Sequence, residues 1–415
     1  MRILHIVHQY PPDHVGGTEF YTQTLAAYQQ RAGHEVAIFC PASRTATTVE
    51  NGIRVHRISD GGAGRTKVFA STFYQPTMQR ALTAVIAQSP PDIIHIQHLM
   101  GLPSRIINDI RAAGIPYVIT LHDYWYGCAN AQLIINGTDD VCTGADANGL
   151  NCARCALTRA EKSSWGWLAP ALSPIMRQRN GRLQQIIKNA AYVIAPTEFV
   201  RTAYAQMGLA GKNMIVITHG IELPQAQIKA ALANRSARKA GQLRIGYVGS
   251  LGWQKGLHHL IAAVNRLPAA EVTVDIYGGL DTFPDYVADL QAMATHTGIR
   301  FNGRISREQI WQAFANMDIF AFPTLWYEAS PLTIDEAFAA RTPILASDIG
   351  AVGEKVKDGI DGLLVPPGDE EALYHALRRL LDDSTLLETL RENIQPVRTM
   401  QNQSQEIEAL YKTLL

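Results

Sequence analysis

Nothing constrains the fold of this chain more than a pattern that runs through it twice: a short apolar run, a glycine-bearing loop, then an amphipathic helix. It begins with Arg2-Ile3-Leu4-His5-Ile6-Val7, is stopped by Tyr10-Pro11-Pro12, and passes through Asp13–Gly17 into a helical pattern that opens at Thr18-Glu19 and ends at Arg31, with Gly33 as its cap. Strand-like runs follow at Glu35–Cys40, Ile53–Ile58, Ile93–Gln97, Tyr117–Leu121, Tyr192–Pro196 and Met214–Thr218, with helical periodicity at Pro76–Gln88 and Leu102–Ala113. The pattern restarts at Leu243–Gly249 and continues with runs at Thr273–Tyr277, Arg300–Asn302, Ile319–Ala321, Pro343–Ala346 and Gly362–Val365. Strands that alternate with helices lie parallel in one sheet. A chain of 415 residues also exceeds one ordinary core. The expected fold class is therefore α/β: two Rossmann-like, doubly wound parallel-sheet domains facing across a cleft, with the chemistry at the carboxyl ends of the strands.

The expected boundaries follow from composition. Residues 1–222 form the first domain, 223–242 a polar, alanine-rich linker, 243–395 the second domain, and 396–415 a terminal helix that can pack back on the first. An insertion at about 124–180 breaks the rhythm with four cysteines and a Trp165-Gly166-Trp167 cluster. Hydrophobic content of 47% and charged content of 18% suit a soluble globular protein, and a net charge of +0 offers no global field for nucleic acid. No apolar run is long enough to span a bilayer, and the first strand is too short for a signal-peptide core, so the expected location is cytoplasmic. There, cysteines argue against a disulfide framework. Cys152-Ala-Arg-Cys155 is a C-x2-C knuckle, and Cys128 and Cys142 complete a four-thiolate set. Two readings stand: a structural zinc (iron–sulfur being the lesser metal option), or four reduced thiols. Cys40 belongs in a buried strand. Residues Pro174–Ala190 read as a helix with Arg177, Arg179, Arg182 and Lys188 on polar positions. Beside the two tryptophans, this suggests either peripheral contact with the inner membrane face or a solvated helix over packed indoles.

The richest stretch is Trp326–Gly368. Glu328 and Glu336 stand eight residues apart, with Pro331 between them where a helix can begin. Glu336 would then lie about one and a half turns inside that helix, and the free amides of Leu332 and Thr333 would lie between the carboxylates. No Asp-x-Asp occurs to hold a catalytic metal, and no strand is followed by Gly-x-Gly-x-x-Gly, which disfavours a nicotinamide dehydrogenase.

On these residues the chain resembles the retaining glycosyltransferases of family 4, which have the GT-B fold. The resemblance rests on Gly16-Gly17, Gly33-His34-Glu35-Val36, His122-Asp123, His219-Gly220-Ile221, Lys255-Gly256, the Glu328 and Glu336 pair, and Ser347-Asp348 before Gly362-Leu363-Leu364-Val365, all in family order. Leu121-His122-Asp123-Tyr124-Trp125 followed by cysteines looks like a subgroup that builds bacterial polysaccharides. The resemblance implies transfer of a sugar from a nucleotide diphosphate-sugar, UDP or GDP rather than ADP, to a glycan or lipid-linked acceptor, with no cofactor needed for catalysis. It implies Lys255 as the point charge on the diphosphate and Glu328 beside the transferred sugar. Glu336 would take the ribose hydroxyls and His122 would touch the donor sugar. Gly16, Gly17, Leu332 and Thr333 would let the backbone approach the donor. Two positions depart from the family. Pro331 replaces a frequent glycine and removes an N–H, and Ser250 stands where relatives often carry a phosphate-binding arginine, a charge Arg304 would supply instead. The competing expectations are a catalytically weak nucleotide-sugar-binding regulator and a sugar-nucleotide epimerase of similar fold.

Overall fold

The structure, a computed structural model, describes residues 1–13, 16–62, 64–239 and 241–415. The chain divides into two compact units, Met1–Gly220 with Met400–Leu415, and Ile221–Thr399.

In the first unit β1 (Arg2–Ile6), β2 (Glu35–Ala42), β3 (Ala46–Glu50), β4 (Ile53–Ser59), β5 (Ile93–Ile96), β6 (Tyr117–Thr120), β7 (Tyr192–Ala195) and β8 (Met214–Val216) form one sheet, ordered β3-β4-β2-β1-β5-β6-β7-β8. Neighbours run parallel except β3, which is antiparallel to β4. In the second unit β9 (Leu243–Val248), β10 (Val272–Tyr277), β11 (Ile299–Gly303), β12 (Ile319–Phe322), β13 (Ile344–Ser347) and β14 (Gly362–Val365) form an all-parallel sheet ordered β11-β10-β9-β12-β13-β14. The central strands β5, β6, β12 and β13 are buried along their whole length. That is why they read as unbroken apolar runs rather than alternating ones. In both sheets the strand order reverses beside the first strand, between β1 and β5 and between β9 and β12. Loops leaving the carboxyl ends at such a point diverge and open a crevice.

Three expectations change. Residues 223–242 are not a free linker. They carry the helix Gln225–Ala233, which buries Ile228 and Ala231 against Trp311 and Phe314 within the second unit. Small alanines mixed with polar residues give no strong apolar stripe, but alanine and glutamine are strong helix formers. The basic helix begins earlier, at Ala169, with Pro174 inside it. Its Arg179 is not on a polar face. Met176, Arg179, Leu183 and Ile186 share one buried stripe at helical spacing, and Arg179 is 1% exposed. Its guanidinium donates to the Trp125 carbonyl at 2.6 Å and to Asn180 Oδ1 at 3.0 Å, and lies 5.0 Å from the Trp125 ring centroid. Lastly, Trp165 and Trp167 are not packed indoles but 47% and 75% exposed. The helix Met400–Lys412 belongs to the first unit, where Met400, Ile407 and Tyr411 join Ile3, Tyr21 and Leu25 in one core. Among the described residues no helix is long and apolar enough to cross a membrane.

Candidate functional site

In the second unit the crevice between β9 and β12 is built by two loops in contact. The loop after β9 makes a single turn, Trp253–Lys255, and leaves it through Gly256 at φ +68°. A Cβ at Gly256 would lie 1.8 Å from the carbonyl oxygen of Pro323, just past β12, so only glycine lets the loops close together. That approach brings Lys255 to Glu328, and Nζ donates to Oε1 at 2.5 Å. The same oxygen accepts from Trp326 Nε1 at 2.7 Å and Thr324 Oγ1 at 3.4 Å. Glu328 is 8% exposed, and among the described residues Oε2 has no donor.

The helix Leu332–Ala339 starts at once, with Pro331 as its N-cap and no side-chain cap. Its first amides, Leu332 and Thr333, have no acceptor inside the helix. Beside them the hydroxyl oxygen of Ser330 is buried without a hydrogen-bond partner. Glu336 is no exposed helical glutamate: it is 2% exposed and Arg307 Nη2 lies 2.6 Å from its Oε1. Burial raises its carboxyl above the ordinary range, against the opposing pull of Arg307. Asp335 is likewise raised by burial and pairs with Lys355. Arg304 is not the spare cation expected from the sequence. Instead Arg304 donates to Asp281 Oδ1 at 2.7 Å and to Thr282 in the loop after β10, while Arg307, three residues on, reaches the motif glutamate.

In the first unit β1, β5 and β6 each run into a histidine: Val7-His8, Gln97-His98 and Leu121-His122. Only His122 is expected at the site from the sequence, although three apolar strands ending in histidine are a signal for all three. His122 Nε2 donates to Gln97 Oε1 at 2.8 Å, and its ring meets Tyr21 and His219 at centroid distances of 4.8 and 5.2 Å. Gln97 Nε2 donates to His5 Nδ1 at 3.1 Å, and His5 Nε2 donates to Gln29 Oε1 at 2.7 Å. Gln29 Nε2 donates to the Tyr411 hydroxyl at 3.4 Å, which donates to His95 Nδ1 at 2.5 Å, and His95 Nε2 donates to Thr120 at 2.8 Å. The bonds accepted at His5 Nδ1 and His95 Nδ1 need neutral imidazoles. Burial brings His5 down to about 4 and takes His95 and His122 well below the usual histidine value. With Nε2–H committed to Gln97, Nδ1 is the acceptor that His122 has to offer a hydroxyl.

His98 Nε2 lies 3.0 Å from Asp123 and its ring lies 4.3 Å from that of His8, which is 3.4 Å from Glu19. Gly16 is extended at φ −135°, so its turn does not demand glycine, but a Cβ there would come within 2.6 Å of Glu19 Oε2. A Cβ on Gly17, the first residue of the helix Gly17–Arg31, would meet nothing within 4 Å.

Cys40 is buried in β2, as expected. Cys128, Cys142, Cys152 and Cys155 are free thiols around a cavity of about 590 Å3. Among the described residues no three Cys, His, Asp or Glu side chains stand together as a metal-binding group, so the expected zinc ligands do not form a ready-made site.

The family model described as Glycosyltransferase Family 4 matches residues 15–225, and that described as Glycosyl transferases group 1 matches 242–383. The glycogen synthase of Mycobacterium tuberculosis is 25% identical over 406 residues, covering 92% of this chain and 86% of its own. The phosphatidyl-myo-inositol mannosyltransferase of Mycolicibacterium smegmatis is 25% identical over 385 residues, covering 91% and 84%. Among solved structures, the sucrose-phosphate synthase of Thermosynechococcus elongatus matches with a TM-score of 0.74 at 21% identity, covering 100% of this chain and 98% of its own. The Anabaena protein HepE, in complex with UDP and glucose, matches with a TM-score of 0.68 at 20% identity over 100% of both chains.

Proposed function

The chain belongs to glycosyltransferase family 4, with the GT-B fold, and from that premise we propose that it moves a sugar from a nucleotide diphosphate-sugar to an acceptor hydroxyl with retention of anomeric configuration. One observation carries the reading: Lys255 and Glu328 meet at the strand-order reversal of the second sheet, beside a helix start with unused amides and the unpartnered Ser330 hydroxyl. Unused donors and a cation at one crevice suit a diphosphate. Glu328 engages Lys255 through one of its three N–H bonds, which leaves two for phosphate oxygens. As the anomeric C–O bond breaks, negative charge grows on the leaving diphosphate. Lys255 and the amides of Leu332 and Thr333 stabilise it by fixed charge and dipole, without a metal. The departing phosphate oxygen takes the acceptor's hydroxyl proton while the new C–O bond forms on the same face. Glu328 holds the sugar, Glu336 the ribose hydroxyls, and His122 accepts from the donor sugar at Nδ1.

The donor is a UDP- or GDP-sugar rather than an ADP-sugar, a reading supported by the UDP in HepE. The acceptor is a glycan or a lipid-linked saccharide; the lipid option is supported by the mycobacterial relative whose name gives phosphatidyl-myo-inositol as its acceptor. Exposed Trp165 and Trp167 support peripheral contact at the inner face of the membrane. A thermal-shift screen with UDP-, GDP- and ADP-sugars tests the donor, since a ligand at 100 times its Kd stabilises by about 2.7 kcal/mol. A UDP- or GDP-sugar should stabilise the wild type and release nucleotide, and Lys255→Ala should abolish release. No shift with any donor, or full turnover in the variant, would overturn the proposal.

A further inference from the structure

The insertion after β6 encloses a cavity of about 590 Å3 that the transfer chemistry does not use. Its wall is largely apolar. Leu133 and Ile134 come from irregular backbone, Leu157 from the helix Leu150–Arg159, and Leu172, Ile175 and Met176 from the helix Ala169–Asn189. The four insertion cysteines join that wall as thiols, not as charges. Cys142 Sγ donates to the Gly144 carbonyl at 3.5 Å, and Cys155 Sγ to the Ile134 carbonyl at 3.7 Å. Burial raises Cys128 and pushes Cys152 up to about 12. A protonated cysteine behaves as a small hydrophobe. A cavity of this size and lining suits one apolar ligand, or the apolar part of one.

The cavity meets solvent where its lining is exposed, at Ile135, Ile175, Arg159 and Lys162. Lys162 Nζ stands 4.5 Å from the centroid of the Trp165 ring, and the exposed Trp165 and Trp167 both lie in the next turn, Ser163–Leu168. Charge is an independent observation. Between Asp146 and Glu198 the only acid is Glu161, itself on the cavity wall, whereas Arg154, Arg159, Lys162, Arg177 and Lys188 are all exposed. In a chain of net charge +0 this is a local excess of positive charge around an apolar opening. An apolar interior, indoles at the rim and cations outside complement a lipid that carries phosphate. The place matters too. Cys128 follows His122 by six residues, so this part of the wall lies within roughly 22 Å of the carboxyl end of β6. The Cys128 amide donates to the Tyr124 carbonyl at 2.8 Å, which folds the path and shortens it further.

We propose that this cavity takes the hydrocarbon chain of the lipid-linked acceptor, with the lipid's phosphate held at the opening by Arg159 and Lys162. The proposal rests on the transferase reading and adds a chain-binding site to it: the protein grips its acceptor by the lipid, near the strand end that presents His122.

The test uses the full chain and dodecyl phosphate below its micelle concentration. Calorimetry should show saturable binding of one molecule per chain, with no binding of ethyl phosphate. Shortening the chain by two carbons should weaken binding roughly tenfold, as loss of two buried methylenes requires. Dodecyl phosphate with a diazirine at the chain end should label lining residues such as Leu133, Cys152 and Leu172 on irradiation, and not Trp165 or Trp167. Ala156→Trp, which fills the cavity from its wall, should weaken binding at least tenfold. Arg159→Glu with Lys162→Glu should weaken it severalfold at low salt and much less at high salt. No saturable binding, an affinity independent of chain length, or label confined to the two tryptophans would overturn the proposal. So would flotation of the protein on phosphatidylcholine–phosphatidylglycerol vesicles with no uptake of dodecyl phosphate, which is surface contact alone. Chain uptake by a protein that releases no nucleotide from any donor would support the chain site and remove the transferase reading. Turnover on a soluble acceptor without chain uptake would do the reverse. The wild-type measurements decide the question even if a variant fails to fold.

Discussion

Lys255 and Glu328 depend on each other. Glu328 is a mostly buried carboxylate with all its donors on one oxygen, and Lys255 is the only cation among them. Lys255→Ala leaves a buried charge with only Trp326 and Thr324, at a cost of about 1–3 kcal/mol. Adding Glu328→Gln removes the charge and should restore at least half of that loss in thermal unfolding, while transfer stays absent in both variants. A double variant no more stable than Lys255→Ala would show that the pair is not coupled. Both residues were legible in the sequence, because a lysine before glycine and two glutamates around a helix start form a local pattern. Arg307 was not. It reaches Glu336 only because β11 and the helix Leu332–Ala339 are brought together in space, and nothing in Arg304-Ile-Ser-Arg307 says which arginine turns inward. Gly256 was read as part of a motif, but its need for glycine lies in the Pro323 carbonyl, sixty-seven residues away.

At the scale of elements, the chain from His122 through Gln97, His5, Gln29 and Tyr411 to His95 ties β1, β5, β6 and two helices into one polar seam. Its histidines bind protons near the ordinary value of about 6.5 when unfolded, but only far below it when folded. The seam's contribution is therefore fully present above pH ~6.5 and lost as pH falls. His5, brought down to about 4, accounts for on the order of 3 kcal/mol of this loss. The buried carboxyls Asp335 and Glu336 act oppositely in the second unit, since their raised values favour the fold at low pH and that contribution fades as pH rises through them. Hydrogen exchange at pH 7.5 and pH 5 should show protection falling in β1, β5 and β6 more than in β9 and β12. His5→Asn should flatten that dependence, and an equal fall in both sheets would refute the assignment. The strands themselves were legible as apolar runs. Strand β3 was not, because Ala46–Glu50 is a short, exposed edge whose one large apolar residue, Val49, is 70% exposed. The helix Gln225–Ala233 was hidden for the opposite reason: its two buried residues are too few to mark a period.

For the whole molecule, alternation in the sequence implied two parallel sheets, but strand order is a property of crossovers, and the reversal points that frame the candidate site appear only in three dimensions. The terminal helix is the clearest case of a long-range debt. Residues 396–415 read as a terminal helix, yet nothing local says that Tyr411 completes a histidine seam begun at residue 5, or that Gln403 accepts from the Gly220 amide and donates to the Tyr21 hydroxyl at 2.7 Å. Met400, Ile407 and Tyr411 are each at most 2% exposed, and burying three such side chains contributes roughly 5–9 kcal/mol as an upper bound. That is comparable with the entire stability of an ordinary domain. Removal of residues 400–415 should therefore unfold the first unit while the second, whose residues 221–399 keep their own core, stays folded. Limited proteolysis with mass spectrometry should recover a resistant fragment spanning the second sheet and none spanning β1 to β8. Tyr411→Phe, which keeps the ring and removes only its hydroxyl bonds to His95 and Gln29, should cost about 1–3 kcal/mol and leave both units folded. A truncated chain with the first unit still protected would mean that the terminal helix covers that core without being needed for it.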